Sequence, residues 1–304
     1  MKDKSAIKPI KVIIIIIAVI YGISLSIIYG FWGSVLKLHS WENIKIYSTV
    51  CKNIDIKNQK LVSFNVSSES INIQLKKPYF GIANFFLYSI FYVIDRDPLS
   101  DFNSMLEMYG DLSAYNKQVC ITAGAVGSSN STYVLNNGEL RIKAWLKSDT
   151  FDEAIRAVMQ RNDIVKLSVA PDNDISFDSI EGQLPENQSI KHLFAYTNCT
   201  DIPNIKSFKG LNTLELMIFA YVDNDDPYFN MDFLNDMPQL ETLILHWFPD
   251  RFDFSDTTRY VNVKKVILYI DEHSEEDETL FHDVFPNAEI EIKDYSNYFK
   301  YWAY

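Results

Sequence analysis

Ile190-Lys191-His192-Leu193-Phe194-Ala195-Tyr196-Thr197-Asn198-Cys199-Thr200-Asp201-Ile202 carries the pattern that organises the chain. An apolar residue is followed by two variable positions, an apolar one, one variable position and a last apolar one. The same grammar stands at Ile164/Leu167/Val169, Leu211/Leu214/Leu216, Leu240/Leu243/Leu245 and Val263/Val266/Leu268, and a degenerate sixth copy ends in Ile290/Ile292. The first positions of the five clear copies are 26, 21, 29 and 23 residues apart. A period in the twenties predicts a stack of units, each giving one strand to a shared parallel sheet and burying its apolar face only against its neighbours.

Side chains alternate across a strand, so the residues between the apolar positions face away from the core. They form two columns: Ser168, Phe194, Glu215, Ile244 and Ile267, then Ala170, Tyr196, Met217, His246 and Tyr269. Phe194, Tyr196, Met217, Ile244, His246, Ile267 and Tyr269 together make an outward aromatic and apolar patch, the composition of a protein-binding surface. The competing reading is internal packing, with the rest of the chain covering this face. The C-terminal stretch Tyr295–Tyr304 is itself aromatic.

These copies resemble the leucine-rich repeat family. In the best copy Asn198 stands where that family places an Asn or Cys in the turn. Residues 231–240 and 279–286 look like the family's convex segments leading into the next strand. The resemblance covers roughly residues 151–293, nearly half of the chain. It departs from the family at Phe219, Phe248 and Asp271, which fill the Asn position of later copies, and in its uneven spacing. What it implies is a short, irregular right-handed solenoid with a concave parallel sheet, a fold that binds proteins on the concave face.

Upstream of the first copy, Asp149-Thr150-Phe151-Asp152-Glu153 opens a helix with a capping residue and first-turn acids. Residues 37–148 read as a separate α+β domain. Strands are expected at Ile44–Tyr47, Ile54–Ile56, Leu61–Val66, Ile71–Leu75, Val119–Thr122, Thr132–Leu135 and Glu139–Trp145, with residues 98–117 helical or irregular. Ser67–Ser70 reads as a hairpin loop, and Asn136-Asn137-Gly138 as a turn with positive φ. The whole is α/β: an anchor at 12–36, this small domain, then the solenoid-like domain at 149–304 with its aromatic tail.

Residues 12–36 contain no charged side chain, and Lys2, Lys4, Lys8 and Lys11 precede them. About 20 apolar residues cross the hydrocarbon layer as a helix, and flanking lysines stay in the cytoplasm. An uncleaved single-pass anchor is therefore expected, with residues 1–11 a cytoplasmic basic tail and the bulk outside the cytoplasm, facing the periplasm for a bacterial source. A cleaved signal peptide is the alternative. Pro78–Ile94 is a second uncharged stretch with seven aromatics. It reads as a buried or surface-lying helix, with a second membrane span as the alternative.

The net charge is −12, and residues 12–304 hold 24 basic against 39 acidic side chains. An acidic body repels nucleic acid and steers in a basic protein partner. Three cysteines make neither a disulfide framework nor a zinc set, although Cys51 and Cys120 are candidates to pair in an oxidising compartment. No motif for a nucleophile, a metal-assisted hydrolase or a phosphate loop occurs. Asp172–Asp178 imitates the start of a calcium loop but has Phe177 where a Gly is needed. No cofactor and no metal are expected, and the chain does not read as an enzyme. The expected function is membrane-anchored, non-catalytic protein recognition, for a bacterial source an immunity or inhibitor protein. The alternatives are a structural subunit of an envelope complex, or an enzyme with its site in residues 37–148.

Overall fold

The computed structural model describes residues 40–54, 60–76, 98–123, 132–144, 148–171, 180–197, 204–218, 231–246, 259–270 and 275–294, with Val19 and Ile202. Over these residues the chain is a mixed α/β protein with four helices: α1 (Trp41–Asn53), α2 (Pro98–Ser113), α3 (Ser148–Met159) and α4 (Glu275–Val284). Eleven strands form one sheet in strict chain order. They are β1 (Lys60–Val66), β2 (Ser70–Lys76), β3 (Gln118–Ala123), β4 (Thr132–Asn136), β5 (Glu139–Ala144), β6 (Lys166–Pro171), β7 (His192–Thr197), β8 (Thr213–Ile218), β9 (Thr242–His246), β10 (Lys265–Ile270) and β11 (Glu289–Asp294). β1–β2, β3–β4 and β4–β5 are antiparallel, and every other neighbouring pair is parallel. The sheet passes from β5 to β6 without a break, so the strands on either side of residues 148–149 share one sheet and one core.

The repeated apolar positions set the parallel register. Leu167, Leu193, Leu214, Leu243, Val266 and Ile290 lie side by side, as do Val169, Ala195, Leu216, Leu245, Leu268 and Ile292. The first position of each copy, Ile164, Ile190, Leu211, Leu240 or Val263, is buried just ahead of its strand. The return segments differ: α3 precedes β6, 3-10 turns at Ile205–Ser207 and Asp232–Asp236 precede β8 and β9, and α4 precedes β11. A shared strand needs only the apolar rungs, whereas the other side of each unit is free to vary.

A seam of backbone hydrogen bonds runs along the strand entries. Val165 N–H donates to Gly138 O at 2.8 Å, Lys191 to Val165 at 2.8 Å, Asn212 to Lys191 at 3.0 Å, Glu241 to Asn212 at 3.0 Å, Lys264 to Glu241 at 2.8 Å and Glu289 to Lys264 at 2.8 Å. The seam begins in the β4–β5 hairpin, where Asn137 (φ 46°) and Gly138 (φ 79°) form the expected turn. Gly138 is needed twice: for its left-handed backbone, and because a Cβ there would stand 2.9 Å from Asp163 O.

The Ser67–Ser70 hairpin loop is as expected, with Ser67 N–H donating to Ser70 O at 2.8 Å. The strand expected at Ile44–Tyr47 is instead the middle of α1. Ser40 caps that helix by accepting from Asn43 N–H at 3.1 Å, and Glu42 and Lys52 complement its two ends. Ile46 and Val50, four residues apart, are its buried stripe, and this spacing outweighs the two-residue alternation of Ile44 and Ile46. α3 begins at Ser148, one residue ahead of the expected cap.

Among the described residues no helix is long and apolar enough to cross a membrane. The expected anchor at 12–36, apart from Val19, and the stretch 78–94 lie outside those residues, as do the strand residues at 55–56, Asn198, Cys199 and the aromatic tail. Cys51 is exposed on α1 and Cys120 half-buried on β3, and both are free thiols. The pairing considered for them is not formed.

Candidate protein-binding face

The register assembles both expected columns on the sheet face opposite the core. Arg141, Ser168, Phe194, Glu215, Ile244, Ile267 and Glu291 lie in one row, and Tyr196, Met217, His246, Tyr269 and Lys293 in the next. All seven expected contact residues therefore share one face of the sheet. Their exposure differs from expectation. Phe194 is 2 % exposed and His246 0 %, and Met217 is buried beside them, whereas Tyr196, Ile244, Ile267 and Tyr269 are half-buried. Lateral packing contributes, since strands about 4.8 Å apart bring large side chains of neighbouring rungs into contact. The His246 ring stacks on Tyr269 with centroids 5.0 Å apart and planes 5° apart, and meets Phe194 edge-on at 6.2 Å. Phe194, Met217 and His246 are thus the buried members of the patch, and the two tyrosines and two isoleucines its half-buried ones.

At its centre sits Glu215, which sequence reasoning placed in a column but not among the contact residues. His192 Nε2 lies 3.1 Å from Glu215 Oε2, and His246 Nε2 lies 3.1 Å from Glu215 Oε1. Glu215 pairs laterally with Phe194 and Ile244, so each histidine is a diagonal neighbour, one rung down on β7 and one rung up on β9. The carboxylate therefore clips three strands together and fixes the plane of the His246 ring. Burial pushes the Glu215 carboxyl up, but the hydrogen bonds and charge of His192 and His246 outweigh it and bring its pKa down to about 2. The group is an anion across the neutral range and takes no proton there. The signal that could have found this trio was the aligned copies themselves, because diagonal neighbours two residues out of step reach one another across a strand pair.

Ion pairs flank the patch. On β5 and β6, Glu139 meets Arg141 at 3.0 Å and Lys166 at 3.3 Å. Burial raises the Glu139 carboxyl, and the Arg141 and Lys166 partners more than reverse this, so it lies below its usual value. On β10 and β11, Glu291 meets Lys265 at 2.8 Å and Lys293 at 3.2 Å, and Lys293 Nζ lies 5.8 Å from the Tyr269 ring centre. Among the described side chains of β5–β11 on this face, Arg141, Lys166, Lys265 and Lys293 balance Glu139, Glu215, Glu289 and Glu291. The acidity of the chain is thus not concentrated here.

Among the described residues no group of three His, Cys, Asp or Glu is placed to hold a metal ion. The calcium-loop-like stretch 172–178 lies outside them. Asn187, which sits in an Asn-x-Ser triplet, is buried with its amide fully engaged and offers no nitrogen to a glycan. Comparison of the chain with protein-family models, with curated proteins and with solved structures gives no match.

Proposed function

We propose that this chain is a membrane-anchored, non-catalytic recognition protein that holds a protein partner on the β7–β10 face of a leucine-rich-repeat-like solenoid. One observation carries the reading: the parallel register gathers Phe194, Tyr196, Met217, Ile244, His246, Ile267 and Tyr269 on one side of the sheet. In this reading Tyr196, Ile244, Ile267 and Tyr269 touch the partner, and the buried Phe194, Met217 and His246 support them. The Glu215 clip is a positioning element, since a carboxylate held at about 2 neither gives nor takes a proton near neutral pH. Residues 12–36 anchor the chain, with residues 1–11 in the cytoplasm and the remainder on the far side. Attraction of a basic partner comes from the net charge of −12 acting at a distance, because the described charges on the face itself are balanced. For a bacterial source, neutralisation of a toxin at the inner membrane fits this arrangement.

The test is Tyr196→Glu combined with Tyr269→Glu in the full-length protein. Partners cross-linked to the wild-type chain in its own membrane should be lost by the double variant, while circular dichroism stays unchanged. Equal recovery with both chains would sink the reading. Reporters fused after Tyr304 and between Ser67 and Ser70 test the orientation. Both should be active only outside the cytoplasm, and a cytoplasmic signal at Tyr304 would place the face on the other side.

A further inference from the structure

β11 ends the described sheet with an open edge. Glu289 N–H donates inward to Lys264 O at 2.8 Å, so in the parallel β10–β11 ladder residues 289, 291 and 293 bond to β10. The backbone groups of Ile290 and Ile292 therefore point away from the sheet, and no partner for them occurs among the described residues. Their side chains are only half-buried, whereas their neighbours Val266 and Leu268 are 0 % and 1 % exposed. The last unit of a stack needs a cap, and a regular open strand with apolar side chains invites another strand. The opposite edge does not have this character, since β1 carries a register irregularity between Leu61 and Ser63.

We infer that β11 pairs antiparallel with β11 of a second copy of this chain, around a two-fold axis through Glu291. The sequence Glu289-Ile290-Glu291-Ile292-Lys293 is self-complementary in that register. Ile290 faces the partner's Ile292, and these are the residues whose backbone groups point outward, so the two pairs exchange four N–H···O bonds. Glu289 faces the partner's Lys293 in the closer, non-hydrogen-bonded type of pair, twice per dimer by symmetry. The two Glu291 side chains meet at the axis, and each already lies between Lys265 at 2.8 Å and Lys293 at 3.2 Å, which offset their repulsion. Pairing of this kind joins two sheets into one and covers the half-bare isoleucines.

The experiment is light scattering on the full-length chain in detergent, with the protein mass followed over a range of concentrations. The wild-type protein should have twice the chain mass of 35.2 kDa. Glu289→Lys and Lys293→Glu should each weaken the dimer at least ~10-fold, since each turns two attractive cross-strand pairs into repulsive ones. The double variant restores the opposite charges and should recover the dimer to within ~3-fold of wild type. A wild-type chain monomeric at every concentration, as when residues beyond Asp294 cover the edge, overturns the pairing. So does a dimer indifferent to both single changes, or one that the double variant fails to restore.

Discussion

Glu215 shows how one side chain acquires a role that its own position in the repeat does not announce. It stands where a variable outward residue stands in each copy, yet it ties His192 and His246 across three strands. Its pKa, pulled from 4.5 to about 2, is a statement about stability. A carboxyl that binds its proton more weakly in the folded than in the unfolded chain stabilises the fold above the unfolded value. That contribution fades as the pH falls from about 4.5 towards 2. Wild-type unfolding free energy should therefore drop across this window by on the order of 3 kcal/mol from this group. Glu215→Gln should be less stable at neutral pH and show a shallower acid limb. Denaturant titrations at a series of pH values read this, and parallel curves for both chains would refute it. The outward position of Glu215 was legible in the aligned copies. Its pairing was not, because which diagonal closes depends on how the strands twist past one another.

At the scale of an element, a buried amide ties two units together. The side chain of Asn187, 4 % exposed, donates to Met159 O at 2.9 Å and Arg161 O at 2.8 Å, satisfying carbonyls where α3 ends. Its oxygen accepts from Ser189 N–H and Ile190 N–H, both at 2.8 Å, shaping the entry to β7. Asn187→Ala leaves four backbone groups without these bonds, so a loss of ~2–4 kcal/mol is expected by denaturant unfolding. A loss under ~1 kcal/mol would mean that water replaces the amide. The strands β6–β10 are readable because their apolar rungs recur two residues apart behind a third apolar position, and β11 by its two rungs alone. The helix α1 is not legible in the sequence because Ile44 and Ile46 alternate over too few residues to tell a strand from a helix. The stripe of Ile46 and Val50 decides it only once α2 is there to pack against. The depth of Phe194 and His246 is not legible in the copies for a related reason, since burial depends on what packs against a side chain from outside its own strand.

For the molecule as a whole, chain order and spatial order coincide from β1 to β11, and the seam from Gly138 to Glu289 hangs each strand entry on the one before. The order of the repeats was legible from their spacing. That β1–β5 continue the same sheet was not, because no apolar triplet recurs there. Such a molecule has a particular response to tension. A pull on its two ends would load one rung at a time, as in opening a zip, and never shear all strands together. Each repeat released frees 21–29 residues, or roughly 70–100 Å of chain. Held in an optical trap, the protein should lengthen in a staircase of such steps at low force, where a single large rupture would contradict it. A chain fixed to a membrane at one end and to a partner by its β7–β10 face would then act as a shock absorber. Only the strands between the two attachments would carry the load, and the strands beyond β10 would stay slack.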